Sequence, residues 1–170
     1  MRDEQAGQRA SGEALWRFSL ALYARPGVAD ALIALQDRAG RDVNLMLFAL
    51  WVGATRARRL DPAELAAAEA ATGPLNTGVV YPLRRLRREL KVAEDRDIQA
   101  LRRGILHAEL GAERQVQHCL AITPISGHPQ PGMTPLVAAA ANLALYLGDE
   151  ARSAEADVLR QAVAALMRAA

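Results

Sequence analysis

The sequence contains almost no cysteine, almost no lysine, few aromatic residues and no long apolar run, and each shortage excludes something. Cys119 is the single cysteine among 170 residues, so neither an intrachain disulfide nor a cysteine-rich zinc motif can form. Aromatic residues make up 4% of the chain against 51% apolar residues, much of that share alanine. Such a composition suits close helix packing more than a strand-rich core. The most apolar stretch, Asp42 to Gly53, spans about a dozen residues, short of the roughly 20 that cross a bilayer. The polar Met1 to Gly12 segment lacks the apolar core of a secretory signal. The expected location is therefore the cytoplasm, without membrane association. Lys91 is the sole lysine, arginine carries the remaining basic charge, and the net charge is only +2. So small a charge sets up no field that would steer a polyanion. No Gly-rich phosphate loop, nucleophile elbow or zinc-protease pattern occurs, and no catalytic residue, metal or cofactor is assigned.

What is present reads as an all-α, compact single-domain bundle of about seven to eight helices around an apolar central helix. Residues 1–10 form a polar tail and residues 11–170 a helical domain, with a Pro/Gly loop at 123–132 expected to hang at the surface. Ser11 is placed as the cap of a first helix with Leu15, Phe18, Leu20 and Leu22 inward. Arg25-Pro26-Gly27 ends it, and a second helix over 28–38 turns Leu32, Ile33 and Leu35 inward. Gly40 closes that helix, and Asp42 caps the central helix over 43–54. Asp61-Pro62-Ala63-Glu64 combines an N-cap, a proline at the first helical position and a capping-box glutamate. Gly73-Pro74 is expected to break the chain after that helix. Further helices are read over 77–91, with Pro82 in the first turn, over 95–121, over 134–147 and over 150–167. The helices containing Trp16, Leu32, Leu86 and Leu106 are expected to pack the central one.

Two constellations could carry function. Arg84, Arg87, Arg88 and Lys91 form a basic stripe that could touch an acidic protein partner. Nucleic acid is disfavoured there, because no aromatic residue is interleaved and Glu89, Glu94, Asp95 and Asp97 dilute the charge. The other set is Asp37, Asp42, Asn44, Glu109 and Glu113. Carboxylates on facing helices can hold Mg²⁺ or Mn²⁺, and the same groups can instead serve as a cap and as partners for nearby arginines. Asn44, an amide in the first turn of a buried helix, can bond local backbone or recognise a ligand. His107 and His118 stand three helical turns apart, about 16 Å, too far to share a metal. Cys119 lies near a helix C-terminus, where the dipole opposes a thiolate, and His128 has no partner that sequence names.

Leu15-Trp16-Arg17-Phe18, Leu22 to Val28, Leu35-Gln36-Asp37 and Asp42-Val43-Asn44-Leu45, together with Pro82 to Arg88 and Glu109 to Arg114, resemble an uncharacterised proteobacterial family filed as domain of unknown function 2390. The resemblance covers roughly residues 13–120 and implies a small bacterial cytoplasmic protein. The reading that follows is a non-enzymatic protein-interaction or adaptor module using the Arg84 to Lys91 face or the alanine stripe of the last helix, with a homo-oligomer left open. The alternative is a helical ligand-binding protein or metal-dependent enzyme with a carboxylate and amide pocket.

Overall fold

The computed structural model describes residues 2–126 and 132–169, so His128 and most of the Pro/Gly loop lie outside the described residues. Among those residues the chain is all-α: eight α-helices, joined by short π and 3₁₀ turns, with no strand. The helices are α1 Arg2–Tyr23, α2 Val28–Ala39, α3 Val43–Arg56, α4 Pro62–Leu75, α5 Tyr81–Glu89, α6 Arg96–Ile122, α7 Pro135–Leu147 and α8 Ala154–Arg168. No single helix among them is long and apolar enough to cross a membrane.

Local chemistry starts most of these helices. Asp42 Oδ1 accepts the Asn44 and Leu45 amides at 2.7 and 3.1 Å, and Asp61 and Glu64 form the reciprocal capping box. Asp95, Thr134 and Ser153 cap α6, α7 and α8 in the same way. Gly40 ends α2 at φ 65°, a left-handed geometry that glycine reaches without a Cβ clash. Ser11 caps nothing, because α1 begins at Arg2 and runs through it.

Gly73-Pro74 does not break the chain. Pro74 sits in the last turn of α4, and a π turn over Asn76–Val80 carries the helix on into α5. The wider turn suits its flanks, since neither Pro74 nor Pro82 has an amide to place in an α ladder. The Thr77 hydroxyl meets the Gly73 carbonyl at 2.9 Å, and the Tyr81 amide reaches back to Asn76 O.

α3 is buried from Val43 through Ala54, and α7 is its most intimate neighbour. At Gly53 the two backbones nearly touch: a Cβ there would lie 2.2 Å from Ala139 N and 2.3 Å from Ala139 Cα. Of the helices expected to pack α3, those containing Trp16, Leu32 and Leu106 do contact it, whereas α5, which contains Leu86, lies on α6 instead; Leu86 and Leu106 themselves are 42% and 38% exposed. Leu20 and Ile33, expected inward, are 53% and 48% exposed. Their helices do carry buried stripes, Leu15 with Leu22 and Leu32 with Leu35, one position round the cylinder. In α8 the buried face is Ala156, Leu159, Ala162 and Val163; of the stripe Ala151, Ala154, Val158, Ala162 and Leu166, Ala162 is buried, Ala151, Val158 and Leu166 pack on the chain's own core, and Ala154 is exposed. Asn142 of α7 braces the α3–α4 corner, accepting from Leu60 N at 2.8 Å and donating to Ala49 O and Arg58 O. The start of the Pro/Gly loop is tied down, not hanging: Ser126 N donates to Glu64 Oε1 at 2.7 Å and Ile125 packs on the core.

Candidate binding cleft

The two constellations read separately from sequence meet in space. α5 lies along α6, and its arginines reach across to the α6 carboxylates. Arg84 Nε donates to Glu109 Oε1 at 3.1 Å and its Nη2 to Glu113 Oε1 at 2.6 Å, while Arg87 holds both oxygens of Glu109. Glu109 has a side chain only 4% exposed, so its charge is stabilised by this double clamp. Burial alone would raise the Glu109 carboxyl, but hydrogen bonds from Arg87 and Arg84 outweigh it and hold the group below its ordinary range. At Glu113 burial wins over the one arginine, with Glu109 and Asp42 adding to it, and the carboxyl is raised. The hydroxyl of Tyr23 is pushed up to about 12, by burial first and then by the charge of Glu113.

The remaining residues divide between the surface and the core. Arg88 donates to Asp37 at 3.1 Å, both side chains more than half exposed. Asp42 faces inward, its Oδ2 accepting from Asn76 Nδ2 at 2.9 Å and the Tyr81 hydroxyl at 3.3 Å, and its amide donating to the Tyr146 hydroxyl at 2.7 Å. Asn44 accepts from Gln117 Nε2 at 2.9 Å, and Gln117 Oε1 accepts from Ser19 at 3.1 Å. The five members of the carboxylate and amide set therefore do not converge on one point. Among the described residues no cluster of three His, Cys, Asp or Glu side chains is placed to hold a metal ion. His107 is exposed, and His118 lies against Gly12 of α1.

Two adjoining hollows open on this flank. One, of about 300 Å³, runs between α1, α3 and α6 under Trp16, Leu20, Leu47 and Leu110, with Ser19, Tyr23, Asn44, Glu113 and Gln117 as its polar residues. The other, of about 330 Å³, is walled by Arg84, Arg87, Arg88, Lys91 and Arg102. They share Tyr23, Val43, Leu110 and Glu113, and so form one cleft with an apolar limb and a basic limb. Leu20, Ile33, Leu106 and Leu110, left exposed by the fold, are its apolar walls.

Asn44 gives the cleft a recognition group. The residue is 4% exposed, and its amide nitrogen has no hydrogen-bond partner among the described residues. Asn44 lines the apolar hollow beside Leu47, Leu110 and Gln117. Reversing both amides of the Asn44–Gln117 pair changes donor for acceptor but still leaves one end of Asn44 facing outward. Gln117, Ser19 and Tyr23 were not singled out from sequence. The signal was there for Gln117, since Glu109, Glu113 and Gln117 recur at the four-residue spacing that lines one face of α6.

These features define a small all-α protein with a two-limbed surface cleft. The chain belongs to the family described as Protein of unknown function (DUF2390), whose model matches residues 14–120. Comparison with curated proteins and with solved structures finds no match. The matched span ends within α6 and takes in every wall of the cleft, whereas α7 and α8 lie beyond it.

Proposed function

We propose that this chain is a non-enzymatic binding protein that takes a small molecule in the cleft between α1, α3, α5 and α6. The observation that carries the proposal is the free end of the Asn44 amide, a polar group on an otherwise apolar buried helix, opening into a hollow with hydrophobic walls. Apolar pockets with a few placed polar groups are the usual form of small-molecule sites. The carboxylates of the flank are held by arginines, which suits wall-building more than acid–base work. The proposal assumes a reducing, cytoplasmic setting, in keeping with the single free cysteine.

Titration with the neutral fluorophore Nile red tests it. Saturable binding at one site per chain is expected, and Leu20→Trp, a change at an exposed wall position, is expected to fill the apolar limb and abolish binding while the fold persists. Absence of saturable binding, or binding indifferent to Leu20→Trp, rejects the proposal. A second reading, an acidic protein partner on the outer rim, is favoured by the 79% and 54% exposure of the Arg85 and Arg88 side chains. Such a complex is expected to weaken steeply with salt and on Arg85→Ala/Arg88→Ala.

A further inference from the structure

We infer that the occupant of the cleft is an amphipathic organic anion, its apolar body in the limb beneath Leu20, Leu47 and Leu110 and its anionic head in the basic limb at Lys91 and Arg102. The inference rests on the cleft being a small-molecule site, and a different set of residues carries it. The basic limb is lined by five cationic side chains, Arg84, Arg87, Arg88, Lys91 and Arg102, against two carboxylates, Glu109 and Glu113. Positive charge is thus in surplus on its walls.

The surplus is not evenly spread. Arg84 and Arg87 are occupied by Glu109 and Glu113, and Arg88 is shared with Asp37. Lys91 and Arg102 have no carboxylate partner among the described residues. Arg102 commits its Nε to the Arg87 carbonyl at 3.3 Å, which fixes the stem of the guanidinium and leaves the terminal nitrogens for another acceptor. Those two residues are where an anion gains most.

The inner end disfavours an anion for the opposite reason. Glu113 stands where the limbs join, and only its Oε1 is taken, by Arg84. A carboxylate placed beside it would meet like charge. The charged head is therefore directed outward and the apolar body inward, with Asn44 available to a hydrogen-bonding group along that body. A cationic head would have only Glu113 Oε2 to meet, since both Glu109 oxygens are already bonded to Arg84 and Arg87, and it would lie in a limb walled by five cations.

Displacement of bound Nile red by decanoate and decyltrimethylammonium, each below its micelle-forming concentration, and by decan-1-ol below its solubility limit, tests the head-group assignment. Decanoate is expected to displace at a concentration roughly tenfold lower than decanol, the scale of one charge-assisted hydrogen bond. Lys91→Ala/Arg102→Ala is expected to erase that preference while leaving decanol displacement unchanged, which also shows that the variant folds. Arg102→Lys, which keeps the charge, is expected to retain most of it. Equal displacement by decanoate and decanol, or a preference that survives the double variant, overturns the anionic head while the small-molecule reading stands. Preference for decyltrimethylammonium overturns it as well and moves the head to Glu113. Failure of Nile red itself to bind removes the small-molecule reading and this inference together.

Discussion

The α3–α7 seam and the α5–α6 flank are both helix-to-helix contacts in one small bundle, yet they are built from opposite chemistry. At the seam, Gly53 and Ala139 bring two backbones into direct contact, and dispersion and apolar burial supply most of the attraction, with Asn142 bonding the Ala49 carbonyl and no ion pair between the two helices among the described residues. On the flank the helices are held by arginines spanning to carboxylates, and the space beside those ion pairs stays open as a cleft. The seam tolerates no added atom. The flank tolerates changes of shape but depends on charge, because the inner carboxylate is almost wholly out of water. A rigid seam and an open cleft can thus be set at different points of one bundle, here with α3 contributing to both.

The contrast can be broken most severely at Gly53. Gly53→Val puts a Cβ into the Ala139 backbone, which has no flexible end to move aside, and a loss of about 3 kcal/mol or more is expected in chemical unfolding. On the flank, Glu109→Gln leaves Arg84 and Arg87 without their buried anion, and about 3 kcal/mol is expected at neutral pH. Because the folded-state pKa of Glu109 is depressed, that contribution is present above the ordinary carboxyl value of about 4.3 and lost as pH falls through the lower folded value. Wild type and Glu109→Gln should therefore converge in acid unfolding curves. Glu113 has the opposite sign: its folded pKa is raised, so its ionisation weakens the fold. Glu113→Gln should gain relative to wild type as pH rises from about 4.3 through the raised value. At the α3 start, Asp42→Ala removes a cap and the acceptor for Asn76 and Tyr81, with about 1–2 kcal/mol expected in thermal unfolding. Arg85→Ala, whose one ion pair among the described residues is an exposed one with Glu89 at 3.7 Å, should stay within about 0.5 kcal/mol of wild type.

What could be read from sequence follows the same division between near and far. Asp42, Asp61, Asp95 and Thr134 announce helix starts because a cap bonds amides two or three residues on, and such chemistry is contained in a short window. Apolarity all round α3 likewise announces a buried helix before any partner is known. Leu20 and Ile33 were misplaced because helical periodicity gives the direction of a stripe but not its width, and they lie on the edge where packing stops and the cleft begins. Gly73-Pro74 looks like a break in a local window, but the effect of a proline depends on the turn that follows it. The cleft was legible only in fragments: Glu109 and Glu113 one turn apart, an amide in a buried helix, a run of arginines. That Arg84 should reach Glu109, or Gln117 reach Asn44 73 residues away, depends on how α5 and α6 lie together, which no local pattern encodes. The place of α7 against α3 is of the same kind.

The π turn between α4 and α5 has a bearing on all of this as an angular device. A π turn holds about one residue more than the α turn it replaces, and one residue is about 100° of rotation around a helix axis. Everything after Val80 is therefore rotated relative to the phase an uninterrupted α4 would impose. That rotation decides which compass direction Arg84 and Arg87 point in, and so whether α5 presents its cations to α6 or to the solvent. Removing a single residue such as Gly78 would reset the phase without altering any arginine, dismantling the basic limb by orientation alone. In this molecule the spacing of a segment that touches no ligand governs the electrostatics of the segment that would.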